Sequence, residues 1–198
     1  MQKLFKVVIF TLFVFSGACG RQEQKLVPRE ITPEPEIVYF PVTDFIMGQL
    51  SELDKAPVTP LRLDINGNHV DSTWLKREDI RRLAQPFLHP LFDSLSMAAF
   101  FDGKSFLDQT LNAYTFSYDA RENKPDSIKL KHLDVYIDPQ KNSVSRIYML
   151  KEDRVDSTPV TMQLTWKTGK WFNVRSITQL PGKEPIVKEE IVKWDFSE

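Results

Sequence analysis

Cysteine, glycine and histidine are all scarce in this chain, and each scarcity excludes a class of chemistry. One cysteine among 198 residues, Cys19, rules out an internal disulfide, so packing and hydrogen bonds must hold the fold. Seven glycines supply no Gly-rich loop to cradle a phosphate, and no Gly-x-Ser-x-Gly elbow is present to expose a nucleophile. The three histidines, His69, His89 and His132, are too far apart for two to share a helix face. Without a His-Glu-x-x-His arrangement a zinc site has no support. All three are read as surface or turn residues, His89 at a helix C-terminus, where positive charge is favoured. Surplus positive charge is also missing. With 26 basic against 27 acidic side chains the net charge is −1, which argues against nucleic acid as a partner. No stretch approaches the about 20 apolar residues that span a bilayer as a helix.

What is present begins at the N-terminus. Lys3 and Lys6 precede an apolar stretch from Val7 to Phe15, and Ser16-Gly17-Ala18-Cys19 follows. A positive start, a short apolar core and small residues form the layout of an export signal. The basic residues lie on the side expected to stay cytoplasmic. Ordinary signal-peptidase cleavage would satisfy the small-x-small rule at Ser16-x-Ala18 or Ala18-x-Gly20. An odd cysteine in an oxidising compartment needs a use, and acylation is one.

On these residues the segment resembles the signal peptide and lipobox of the bacterial lipoproteins. Gly17 and Ala18 match the small residues before the modified cysteine, while Ser16 stands where that family favours leucine. The resemblance covers roughly the first twenty residues. It implies cleavage before Cys19, a diacylglyceryl group on its thiol and acylation of the new amine, palmitate being a typical acyl group. One acyl chain holds a protein only marginally, at about 0.8 kcal/mol per buried methylene, so two or three make attachment stable. Gly20 after the cysteine, where aspartate would signal inner-membrane retention, implies the outer membrane and a periplasmic or outward-facing domain.

The expected organisation is therefore a signal peptide over 1–18, a lipidated Cys19 with an extended tether over 19–37, and a single α+β domain over 38–198. Removing the first 18 of the 198 residues leaves 24 basic against 27 acidic side chains, a net charge of −3. The tether is polar and carries Pro28, Pro33 and Pro35, which favour extended backbone.

Within the domain, Phe45, Ile46, Gln49, Leu50 and Leu53 share one helical face, with Thr43 as the expected cap and Pro57 and Pro60 as the stop. Leu61, Leu63 and Ile65 alternate with polar residues, and Asn66-Gly67 predicts a hairpin turn into a strand through Val70. A second helix is predicted over 77–88, kinked by Pro86 and stopped by Pro90. A third is predicted over 91–101, with Leu91, Leu95 and Ala98 or Ala99 inward. From Leu111 the pattern is β: strands near 115–118, 129–138, 144–151, 160–166, 171–178 and 185–196, a meander. The fold class is α+β, N-terminal helices and a hairpin packed on a C-terminal antiparallel meander sheet. Val70-Asp71-Ser72-Thr73 recurs as Val155-Asp156-Ser157-Thr158, and both copies read as polar connections.

Residue patterns that carry chemistry are few. Asp64-x-Asn66-Gly67-Asn68 resembles a calcium loop, but its glycine comes at the fourth position and Leu75 stands where a glutamate is needed. Glu189 and Glu190 point to opposite faces of a strand. Asp102, Asp108 and Asp119 show no acid/base spacing. Trp166 and Trp171 flank one turn as a candidate cross-strand pair. Catalytic residues, metal ligands and cofactors are therefore none, the ligand-binding residues are unknown, and Cys19 is the one site residue named, for lipidation. The expected function is a non-enzymatic, membrane-anchored envelope lipoprotein that binds an envelope protein or lipid, or serves assembly. Two alternatives stay open: a lipid or lipoprotein carrier with an apolar cavity under a curved sheet, and an envelope hydrolase without a recognisable motif.

Overall fold

Strands that alternate apolar and polar residues bury one face by joining a sheet, and here nine strands form one, with only β2 at its edge exposed along its whole length. A computed structural model of the protein describes residues 39–89 and 94–197. The expected signal peptide over 1–18, Cys19, the expected tether to Ile37, and Pro90 and Leu91 lie outside the described residues.

Helix α1 (Val42–Lys55) leads into the hairpin β1 (Leu61–Asn66) and β2 (His69–Trp74). Three short helices follow, α2 (Arg77–Leu83), α3 (Gln85–Leu88) and α4 (Ser94–Phe100). Strands β3 (Phe101–Asp108), β4 (Ala113–Ala120), β5 (Leu130–Asp138) and β6 (Ser143–Val155) come next. The chain closes with β7 (Thr158–Lys167), β8 (Trp171–Thr178) and β9 (Ile186–Lys193). The sheet order is β2-β1-β9-β8-β7-β6-β5-β4-β3, antiparallel throughout. The α+β reading is met, with one change of arrangement. The hairpin is not packed on the sheet but extends it, β1 pairing with β9.

One face of the sheet forms the core. Phe116, Val135, Ile147, Trp166, Phe172 and Val192 lie opposite one another in a single row across six strands. Against this face α1 buries Val42, Ile46, Leu50 and Leu53, spaced as an amphipathic helix requires. Ile80, Leu83, Phe87, Leu88 and Met97 from the shorter helices join the same cluster. Trp166 stacks on Phe172 at 5.2 Å between ring centroids, and Phe87 meets both rings edge-on.

Several local expectations need correction. Thr43 is not a cap: Pro41 occupies that position, and no side chain caps α1. The two-residue turn is Gly67-Asn68, because Asn66 still pairs with His69. Gly67 takes the positive φ of +59° that the first central position of a type II′ turn requires. The second helix breaks between Leu83 and Gln85, with Pro86 just inside the new start, where its missing N–H costs nothing. In α4 the buried residue is Met97, while Leu95 is 81% exposed. Strand β3 is an addition to the expected elements, and its first residue, Phe101, is extended where the sequence pattern predicts helix. Of the two Val-Asp-Ser-Thr copies, only Asp156-Ser157 is a turn, both residues at positive φ as a type I′ turn demands. The other copy lies inside β2. Trp166 pairs with Phe172, not Trp171, which sits across from Lys167 on the other face.

Candidate functional site on the helix-free face

The strand period sends every second side chain away from the helices, and this second face, which no helix covers among the described residues, carries the polar network. Its centre is His132 on β5, half-buried within a strand and not in a turn. Nδ1 of His132 lies 2.6 Å from Asp119 Oδ1, and Nε2 lies 3.0 Å from Asp134 Oδ2. Asp119 stands directly across from His132 on β4, and Asp134 is two residues along β5, so all three share the face. Lys104 Nζ reaches the second Asp119 oxygen at 3.1 Å, and the Tyr136 hydroxyl donates to Asp134 at 3.0 Å. The Arg146 guanidinium lies 4.0 Å over the Tyr136 ring, a cation–π contact.

The electrostatics follow from this placement. Burial pulls the His132 pKa down, but the hydrogen bonds and charges of Asp134 and Asp119 outweigh it and hold it above the usual histidine value. Burial also pushes Asp119 up, yet His132 and Lys104 overcome it and keep its carboxyl below the usual range. Burial and the Asp134 charge both raise the Tyr136 hydroxyl. An imidazolium whose two N–H groups each donate to a carboxylate is a fixed positive group. While it holds both protons, neither ring nitrogen is free. The two carboxylates also flank the ring on opposite sides, so they cannot converge on one ion. Among the described residues no group of three acidic, histidine or cysteine side chains is placed to hold a metal.

The other residues singled out from sequence fall as follows. Cys19 lies outside the described residues. His69 is exposed at the start of β2, and His89 ends α3. Asp102 and Asp119 are brought face to face across β3 and β4, but Asp102 pairs with Arg121 at 2.8 Å. Asp108 instead accepts the N–H groups of Thr110 and Leu111 in its own turn. Asp64 contacts Arg62 at 2.7 Å, and the stretch that resembles a calcium loop is the β1–β2 hairpin. Glu189 and Glu190 do face opposite ways. Glu189 accepts from Asn173, while Glu190, on the helix side, binds Arg62 at 2.8 Å.

Sequence reasoning passes over two features. In the His132 network, Asp119, His132 and Asp134 come from two strands, and only the register brings them together. The other is Lys151, 1% exposed on the helix side, whose ammonium donates to the carbonyls of Pro86 and His89 at the end of α3. Its place in β6, in the alternation of buried Ile147 and Met149, is the available signal.

The remaining face is mixed. Leu63, Ile65, Leu150 and Ile191 are half-buried there beside Gln163, Thr165, Arg175 and Tyr148. On the opposite side, Ile46, Leu50, Phe87, Trp166 and Phe172 are each at most 1% exposed and fill the space between helices and sheet. A lipid held there would have to displace them. No protein-family model matches the chain, and no curated protein is significantly similar to it.

Proposed function

We propose that this is an outer-membrane lipoprotein, anchored through a triacylated Cys19, whose domain is a binding or assembly module that works through its helix-free face. The observation that carries the binding half is that, among the described residues, helices cover the sheet on one side only. All the helical residues of the core cluster pack with the row containing Trp166 and Phe172, and the opposite rows carry tyrosines, amides, charges and half-buried aliphatics. Such a surface suits a partner of mixed polarity. The ion-paired His132 network keeps its side chains in place before contact, which lowers the ordering cost of binding. The anchoring half rests on the uniqueness of Cys19 and the short apolar stretch before it.

Co-purification from native membranes tests the reading. Wild type should bring down a reproducible protein or lipid, and Gln163→Arg with Thr165→Arg, in the middle of the helix-free face, should lose it while folding normally. Equal recovery by both proteins, or none by either, would count against this face as the binding surface.

A further inference from the structure

Two features at one end of the sheet lie apart from the His132 ion pairs, and of their residues Arg146 alone reaches that network, through the Tyr136 ring. The antiparallel order brings the β3–β4, β5–β6 and β7–β8 turns to the same end, together with the end of β2 and the segment after β9. At the β3–β4 turn Phe106, Leu107, Leu111 and Tyr114 are 45%, 48%, 48% and 50% exposed. Phe106 pairs with Thr115, on the helix-free side, and Leu107 with Tyr114, on the other. The hairpin is therefore apolar on both sides next to its turn, and the turn from Asp108 to Asn112 adds Leu111 among polar residues. A flat protein surface would cover one side only, whereas a lipid interface surrounds an inserted tip. At the far corner Trp74 and Phe196, 63% and 58% exposed, meet with ring centroids 6.3 Å apart. Exposed aromatics of this kind settle at the headgroup level of a bilayer.

Between these corners positive charge predominates over Asp138 and over Asp195, which follows β9 and interacts with Lys170. Arg146 stands directly across from Lys167, a like-charge pair that folding alone disfavours. Lys141 lies in the β5–β6 turn and Lys170 in the β7–β8 turn, and both raise the positive potential at Lys167. Asp138 opposes them, but its Oδ1 accepts the N–H groups of Gln140 and Lys141. The Lys141 ammonium lies 4.0 Å from the other Asp138 oxygen, and with 78% of its side chain exposed this pair is open to exchange for a lipid phosphate.

We propose that this turn end docks on an anionic lipid bilayer, the β3–β4 tip entering the interface and Lys141, Arg146, Lys167 and Lys170 meeting lipid phosphates. Polybasic clusters bind anionic leaflets in this way, and apolar side chains add the inserted part. The length of chain before the domain permits it. Tyr39 enters at the opposite end, its hydroxyl donating to the Phe101 carbonyl. The eight residues of β3 separate that entry from the tip by about 27 Å. Residues 20–38 reach about 60 Å when extended, so a chain held at Cys19 can present its turn end to the same membrane. The contact does not require the lipid on Cys19, so it stands or falls separately from the anchor.

The test uses the full chain carrying Cys19→Ala and Leu111→Cys, labelled with an environment-sensitive fluorophore. A control carries Cys19→Ala and Val155→Cys, at the β6–β7 turn and 58% exposed at the other end of the sheet. Vesicles containing phosphatidylglycerol should shift the Leu111→Cys probe to the blue, with reversal at high salt, while phosphatidylcholine vesicles should not. The Val155→Cys probe should stay unshifted. Lys141→Glu with Lys170→Glu should raise the lipid concentration needed by at least about tenfold, and so should Phe106→Ser alone. An unshifted Leu111→Cys probe, an equal shift at Val155→Cys, equal response to neutral vesicles, or unchanged binding by folded variants would overturn the proposal.

Discussion

Lys151 offers the sharpest physical test of the fold. Its side chain lies on the helix side of β6, across from Leu130, and is 1% exposed. Nζ donates to the His89 carbonyl at 2.6 Å and also to the Pro86 carbonyl, so an ammonium closes the C-terminal end of α3. Burial pulls its pKa down from 10.5 to about 8. This lysine moves in the opposite direction to one that gains a salt bridge, and the sign of its pH effect inverts accordingly. Between about pH 8 and 10.5 the folded protein has released the proton while the unfolded chain still holds it. Stability from this group therefore rises with pH across that window, by up to about 3 kcal/mol, since a tenfold change in proton affinity corresponds to about 1.4 kcal/mol. Lys151→Met should abolish the rise. Tyr118, Tyr136 and Tyr148, which burial raises, push stability the other way above about pH 10, but they do so in both proteins. The difference between urea-denaturation profiles of wild type and Lys151→Met at about pH 7.5 and about pH 10.5 isolates the lysine. At neutral pH the variant loses a buried cation but strands two carbonyls, and these opposed effects leave it within about 2 kcal/mol of wild type. Parallel pH profiles for the two proteins would refute the reasoning.

Other expectations are simpler. His132 has a raised folded pKa, so its contribution is complete below its unfolded value and is lost as pH rises through the folded one. His132→Gln should flatten that fall in the urea midpoint above pH 6.5. Phe87 holds α3 against Trp166 and Phe172, at 5.4 and 5.6 Å, so Phe87→Ala should cost about 3–5 kcal/mol by denaturant unfolding. Ser157 sits at φ +67° in the β6–β7 turn, and Ser157→Gly should raise thermal stability by up to about 1 kcal/mol. Cys19→Ala should block incorporation of labelled palmitate in cells, and unchanged labelling would remove the anchor from the account.

Much of the fold is legible because periodicity carries it. Val160, Met162, Leu164 and Trp166 alternate so regularly that β7 can be placed from sequence, and the spacing of Ile46, Leu50 and Leu53 defines the inward face of α1. Strand β3 is hidden because its tip is apolar on both faces, so Phe106-Leu107 breaks the alternation a half-buried strand shows. The split of α2 from α3 is readable at Pro86. The turn at Gly67-Asn68 is displaced by one residue because Asn-Gly and Gly-Asn both permit a tight turn, and the β1–β2 register adopts the second. The His132 network is illegible for a different reason. Asp119 and His132 are thirteen residues apart and become neighbours through a register that several strands set jointly. Lys151 reads as a surface lysine at a strand end, and its burial is a property of the helices above it.

The helix-free face is the core of the functional account, and site-specific photo-crosslinking in native membranes examines it most directly. A photoreactive residue replacing Tyr148, on that face, should yield a discrete adduct with a partner, and one replacing Met47, 43% exposed on α1, should not. Adducts of equal yield at both positions, or an adduct at position 47 alone, would contradict it.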